Sequence, residues 1–409
     1  MKSKIYLDNA ASTKPAKAVL DAMKPYLKGY FGNPSSLHEL GVSSRQAIDG
    51  AREQVAGVLN SRPSEIIFTG GGTESINLAI FGVAKAYLKL HKKPGRIIVS
   101  KIEHEAVLES VKALEADGWK IDFLQVDKLG FVNPKDLSKL IKPDTALVSV
   151  MYANNEVGTI QPLVQLGSVI AGVNRNRRLK KLSNVVFHTD ACQAGGNLEL
   201  DVQKLKVDLL TLNGSKINGP KGAGILFVRT GTKIEPLIYG GGQERGLRSG
   251  TENTPAIIGF ATALQLAQKN RLKNVKTLHS LQTFLETNLK KISGVTINGP
   301  KNSKLIQDEF NFGLLKLPGT INFSVKNTEG ESLMLYLDAA GFAVATGSAC
   351  TTGSEDPSHV LLAMGVEPVL AKSTIRLSLG YDVTKANLSK LTTVLSKTVD
   401  MLKKTKQEI

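Results

Sequence analysis

The chain has 409 residues, with 52 Lys and Arg against 36 Asp and Glu, a formal charge of +16. Its 42% apolar and 22% charged fractions are those of folded globular proteins, which excludes wholesale disorder; at roughly 150 residues per domain the length predicts two or three domains. No stretch reaches the roughly 18 consecutive apolar residues of a membrane helix, and the apolar run Ile5–Leu7 is too short for a signal peptide. Two cysteines make no disulfide framework, so a reducing, cytoplasmic setting is expected. The basic surplus is spread along the chain, and 5% aromatics provide no stacking surface for single-stranded nucleic acid. One basic cluster (Arg175, Arg177, Arg178, Lys180 and Lys181) lies between two apolar segments, where a solvated loop is expected, and is predicted to be a solvated face or a partner patch rather than a nucleic-acid site.

In chain order, short β-branched runs alternate with helical patterns. Strands are predicted at Glu65–Phe68, Arg96–Ser100, Ala146–Met151, Val185–Thr189, Val207–Leu212 and Gly224–Val228, each continuous and bounded by Gly, Pro or Asn. Between the first two, Thr73–His91 places Ile76, Ala79, Ile80, Val83, Tyr87 and Leu88 on one helical stripe. Such alternation predicts an α/β fold, a mostly parallel central sheet covered by helices. After about Thr254 the texture changes: one long helix at Pro255–Leu289, a strand at Thr320–Val325, a helix at Gly330–Asp338, a Gly/Ser-rich loop at Thr346–Ser358, a strand at Ile375–Leu379 and an amphipathic helix at Lys385–Lys404. This predicts a large domain over residues 15–255 and a smaller α+β domain from 1–14 and 256–409.

Three segments carry chemistry. Phe68-Thr-Gly-Gly-Gly-Thr-Glu-Ser ends a strand in glycines and opens a helix, so its backbone amides suit either a phosphate or a tight turn with no ligand. The run Val185–Gln193 delivers Asp190 at the carboxyl end of an apolar strand, where open α/β sheets place ligand-contacting groups. The run Leu212–Gly222 places Lys216 at the end of another strand among glycines. A phosphate cradle, a strand-end Asp and a strand-end Lys together are what pyridoxal 5'-phosphate requires.

With these motifs the chain resembles the fold-type I pyridoxal-phosphate enzymes of the class V aminotransferase branch, and within them the cysteine desulfurases. The resemblance runs through Tyr6-Leu-Asp-Asn-Ala-Ala-Ser-Thr, Phe31-Gly-Asn-Pro-Ser, Lys101-Ile-Glu-His-Glu-Ala-Val, Asn154-Asn-Glu-Val-Gly, Gly240-Gly-Gly-Gln-Glu-Arg-Gly-Leu-Arg-Ser-Gly-Thr and Ile375-Arg-Leu-Ser-Leu-Gly. It implies a Schiff base on Lys216, which also moves the substrate's α-proton. Asp190 pairs with the ring nitrogen, Gln193 bonds the phenolic oxygen, and His104 stacks on the ring and serves as a catalytic proton shuttle. Gly72 and Thr73 bind the phosphate, and Thr251 reaches it from the second subunit of a homodimer. Asn155 and Arg376 hold the substrate carboxylate. Cys350, in Thr346-Gly-Ser-Ala-Cys-Thr-Thr-Gly, becomes the nucleophile that takes sulfur from L-cysteine. A sulfur-acceptor protein, an iron–sulfur scaffold or a thiolation enzyme, is implied as partner. Cys192, in the Asp190 strand end, reads as small-residue packing.

The sequence departs from the family where Asn213-Gly-Ser-Lys replaces the usual Ser-x-His-Lys, so Asn213 and Ser215 stand in for the phosphate-touching Ser and His. The basic stretch at 174–181 and the run Lys301–Gly319 are also non-standard. Two other readings remain at this point: a selenocysteine lyase or another class V enzyme, and a non-catalytic scaffold or nucleic-acid binder on a degenerate fold.

Overall fold

The computed structural model describes residues 4–301, 303–306, 310–347 and 356–405. Among them are twelve strands: β1 Ile5–Tyr6, β2 Ile66–Thr69, β3 Arg96–Ser100, β4 Lys120–Leu124, β5 Thr145–Ser149, β6 Val186–Asp190, β7 Leu209–Asn213, β8 Gly224–Val228, β9 Val295–Asn298, β10 Thr320–Val325, β11 Phe342–Ala343 and β12 Thr374–Ser378. Seven form one sheet in the order β2-β8-β7-β6-β5-β3-β4. The steps from β4 through β3, β5 and β6 to β7 are parallel, and β8 joins β7 and β2 antiparallel. The sheet is thus mostly parallel, as the strand–helix alternation predicts, and β5 is buried along its whole length.

β4 has no counterpart among the predicted strands. Lys120-Ile-Asp-Phe-Leu mixes charge with apolar residues because it is an edge strand, largely open to solvent on its outer side. The predicted long helix is two, Thr254–Lys269 and Arg271–Leu289. They part at Asn270, whose side-chain amide donates to the Leu266 carbonyl at 2.9 Å, competing with the continuing helix for that acceptor.

The two helices go to different cores. Thr254–Lys269 packs on helices Lys17–Lys28 and Glu39–Leu59, so closely that a Cβ on Gly259 would lie 2.6 Å from Met23 Sδ. Its Ala256, Ile257, Phe260 and Leu264 join the core beneath the large sheet, although the sequence reading begins the smaller domain at 256. Leu278, Leu281, Leu285 and Leu289 of the second helix instead join the core around the three-stranded sheet β12-β10-β9 and helix Lys385–Thr405. β1 pairs in parallel with β11, and Leu7 is buried in that same second core.

The basic cluster is not a loop. Helix Leu163–Leu179 runs through most of it, leaving Arg175, Arg178, Lys180 and Lys181 exposed while Arg177 is buried. The Arg177 guanidinium donates to four carbonyls, those of Ser183 (2.7 Å), Lys142 (2.8 Å), Pro143 (3.1 Å) and Thr145 (3.1 Å). Next to it, Asn174 bonds both N–H and C=O of Val185. The cluster therefore locks the approach to β5 and β6 from the sheet's amino-terminal end. Replacing Arg177 with Ala leaves four carbonyls without their donor, that of Thr145 in a buried setting, and is expected to lower unfolding stability by about 2–4 kcal/mol, with Lys recovering only part because it lacks the planar fork. Urea unfolding of R177A and R177K checks this; unchanged midpoints would contradict it.

Candidate active site

Adjacent parallel strands β6 and β7 end side by side, Asp190 opposite Thr211. Asp190 is 6% exposed, and its Oδ1 accepts the Cys192 N–H at 2.9 Å. Beyond β7 the chain makes one short helical turn, Gly214–Lys216. Asn213 Oδ1 caps that turn by accepting from Ser215 N–H (3.2 Å) and the Ser215 hydroxyl (3.3 Å). A side chain at 214 is excluded, since its Cβ would lie 2.7 Å from the Pro220 carbonyl oxygen. The turn leaves Lys216 half-buried, with Nζ donating to the carbonyls of Ala10 (2.8 Å) and Ala11 (2.6 Å). Gln193 donates to the same Ala10 carbonyl at 3.0 Å.

The glycine turn after β2 comes to the same place. Helix Gly72–His91 begins there with no side chain capping it, and Gly71 adopts φ +149°. A Cβ on Gly72 would meet Cys192 Sγ at 3.0 Å and Asn213 Nδ2 at 3.4 Å. The helix start is therefore pressed against both the Asp190 and the Lys216 strand ends. Thr73 is exposed beside it. Glu74 Oε2 accepts the Gly70 N–H at 2.9 Å, and Arg248 holds Glu74 at 2.8 Å. That pair ties the run Gly240–Thr251 to the cradle, and Thr251 itself is exposed in the single chain.

After β3, His104 caps helix Glu105–Ala116, its Nδ1 accepting the Ala106 N–H at 3.0 Å. On the opposite wall Arg376 of β12 is 2% exposed, donating to Asp8 Oδ1 at 2.9 Å and to the Asn155 carbonyl at 3.4 Å. Its Nε is buried without a partner, a spare donor suited to a carboxylate. Cys350, with neighbours 348–355, lies outside the described residues; Gly347 and Ser358 on either side of the segment are buried.

Residues 5–391 match the family described as aminotransferase class-V. The cysteine desulfurase IscS of Dictyoglomus turgidum is 45% identical, the alignment covering 98% of this chain and 96% of the relative. That of Methanosarcina thermophila is 42% identical over 98% and 93%. The chain belongs to the cysteine desulfurases of the class V aminotransferase family. Solved structures agree. A NifS-like protein superposes with TM-score 0.87 at 36% identity, covering 97% of this chain and 100% of that one. Another, from Rickettsia africae, gives 0.81 at 29% identity over 97% and 99%.

This desulfurase family depends on pyridoxal phosphate, and the donor set here fits that group. A buried carboxylate, a half-buried amine and a helix start with uncapped N–H groups converge, and glycine at 72 leaves a space that a Cβ would close. Around them stand His188 and Glu103, to which the sequence assigned no role, and Cys192, which it read as small-residue packing. Beneath the site, His188 is buried between Ser149 Oγ (2.8 Å) and Thr211 Oγ1 (3.0 Å), and burial pushes its pKa down to about 4, so it is neutral. Burial, then the Asp190 charge, pushes the Cys192 thiol well up, so it is no nucleophile. Glu103 is buried, accepting from Ser100 Oγ (2.5 Å) and Met151 N–H (2.8 Å). Burial pushes its carboxyl up to about 8 despite those bonds, with the Asp190 charge adding to the rise. Of the two unassigned groups only Glu103 had a sequence signal, its place beside His104 in the Glu-His-Glu motif.

A carboxyl raised from 4.5 to about 8 on folding stays protonated while its unfolded counterpart ionises. Its stabilising contribution is complete below the lower value and is lost as pH rises through the upper one, at up to about 1.4 kcal/mol per pH unit. Glu103→Gln, neutral throughout, is expected to gain in denaturant midpoint over the parent between about pH 5 and 8. Parallel pH profiles of the two proteins would contradict this.

Proposed function

We propose that this desulfurase converts L-cysteine to L-alanine and leaves the sulfur on Cys350 as a persulfide. The convergence of Asp190, Lys216 and the Gly72 helix start on one strand-end corner, with Arg376 on the facing wall, carries this reading. Lys216 would hold pyridoxal phosphate covalently, Asp190 would pair with its ring nitrogen and Gln193 with its phenolic oxygen. His104 would lie against the ring, and Gly72, Thr73, Asn213 and Ser215 would serve the phosphate. When bound, the cofactor supplies the electron sink that makes the substrate's α-proton removable.

The remaining steps belong to the chain. Arg376 and Asn155 orient the amino acid by its carboxylate. The Lys216 amine, steered by the Ala10 and Ala11 carbonyls, takes and returns the α-proton. Cys350, as thiolate, attacks the substrate sulfur. The C–S bond breaks, its electron pair stays with carbon, and protonation of that carbon gives alanine. The persulfide then passes to an acceptor, an iron–sulfur scaffold or a thiolation enzyme.

We read the enzyme as a cytoplasmic homodimer. Exposed apolar side chains recur over 20–42 (Leu20, Leu27, Phe31, Leu37) and at Tyr239, and Thr251 is exposed on the segment that follows. No helix among the described residues is long and apolar enough to cross a membrane.

Cys350→Ser is expected to purify yellow and to lose more than about a thousandfold in alanine formation from cysteine, whereas Lys216→Ala should purify colourless. Absorption spectra and an alanine assay check both. Unimpaired turnover by C350S would end the assignment.

A further inference from the structure

The proposed reaction gives Glu156 nothing to do, yet this carboxyl stands at the junction of its parts. It is 4% exposed and follows Asn155 in a turn fixed by Asn154, whose Oδ1 accepts the N–H groups of Glu156 and Val157, both at 2.9 Å. The Asn154 amide is itself anchored, donating to the Ile102 carbonyl at 3.0 Å. From this rigid turn Glu156 reaches both ends of the segment that holds Cys350. Ser358 donates its hydroxyl to Glu156 Oε2 at 2.5 Å. Gly347 abuts the same oxygen, since a Cβ on it would lie 3.3 Å from Oε2 and 2.9 Å from Thr374 Oγ1.

Ser358 in turn accepts the Leu361 N–H at 3.3 Å, starting helix His359–Ala363, so the downstream anchor continues into ordered structure. Upstream, Ala345 pairs with Arg376 across an isolated bridge. Burial pushes the Glu156 carboxyl up to about 7. The Ser358 bond and the charges of Arg376 and His104 favour its ionised form, and Glu105 opposes it.

We infer that Glu156 is a positioning residue for the acceptor thiol: it pins Gly347 and Ser358 against one turn and so fixes the two points from which the Cys350 segment departs. Because Asn155 precedes it in that turn, the departure points are held in register with the residue assigned to the substrate carboxylate. The inference rests on Cys350 receiving the sulfur. Misplacing a reacting group by about an ångström costs on the order of a hundredfold, so a tether of this kind acts on turnover rather than on substrate binding.

The test uses the full-length holoenzyme and the variants Glu156→Ala, Glu156→Gln, Ser358→Ala and Glu156→Ala/Ser358→Ala. The readouts are kcat and KM for alanine formation and the rate at which iodoacetamide alkylates Cys350, followed by mass spectrometry. E156A and S358A are each expected to lower kcat about tenfold with KM unchanged. The double variant should be no worse than either single one, because both remove the same contact. E156Q, whose amide oxygen still accepts from Ser358, should retain most of the activity. Alkylation should be at least as fast as in the parent, since the thiol is intact and only its delivery is lost. Losses that multiply in the double variant, or a KM that rises in step with the fall in kcat, would overturn the inference. Should E156A fail to fold, S358A and E156Q decide it, and a normal kcat in S358A overturns it. Failure of the underlying reading looks different: C350S would then keep its turnover.

Discussion

The register between β6 and β7 is the constraint on which the site depends. With Asp190 paired to Thr211, the two strands end within a few residues of each other, and the next turn delivers Lys216 to the same corner. A slip of one residue would send Asp190 to the opposite face of the sheet. Burial on both sides makes such a slip prohibitive: Phe187 and His188 in β6, and Leu209, Leu210 and Thr211 in β7, are all buried. His188 adds a polar lock, bonded to Ser149 of β5 on one side and Thr211 of β7 on the other.

The N-terminal segment then joins this corner to the second core. Leu7 is buried among the leucines of that core, while three residues later the Ala10 carbonyl receives both Lys216 and Gln193. Asp8 pairs with Arg376, and the Asn9 amide donates to the Ser378 carbonyl at 2.9 Å. Residues 6–13 thus act as a strap, giving the amine at 216 and the guanidinium at 376 a common reference although they come from different sheets. The strap's carbonyls are acceptors without charge. They orient the lysine through two hydrogen bonds.

What the sequence disclosed was local. The glycines at 70–72, Asp190 at the end of an apolar run and Lys216 among glycines announce themselves because strand ends, tight turns and helix starts impose residue types on their immediate neighbours. What it concealed was non-local. Arg177 reads as one basic residue among five, and only the packing of its helix against β5 and β6 makes it a buried clamp. Glu103 and Glu156 sit inside quoted motifs, but the burial that raises their pKa values comes from tertiary packing, and the groups that bond them, Met151 for one and Ser358 for the other, are distant in the chain. The edge strand β4 lacks the apolar continuity of its neighbours, and Asn270 divides two helices whose composition is continuous. For Arg177, Glu103 and Glu156 a long-range contact overrides the local pattern, whereas Asn270 ends its helix through a bond to Leu266 only four residues back.

The departure at 213–216 shows how local geometry absorbs a change in chemistry. Asn213 Oδ1 is occupied by Ser215, so the oxygen of the amide faces its own turn and the Nδ2 side lies toward the helix start at Gly72. The corner keeps hydrogen-bond donors next to the cradle but gives up an imidazole that could carry charge. Exchanging one charge-assisted bond for a neutral one weakens anion binding by about 1–2 kcal/mol. In return, neither Asn213 nor Ser215 titrates near neutral pH, so their share of the cradle does not vary with proton concentration where an imidazole's would. The backbone amides at the start of helix Gly72–His91 are equally insensitive to pH. What this corner offers an anion is fixed dipoles and neutral donors.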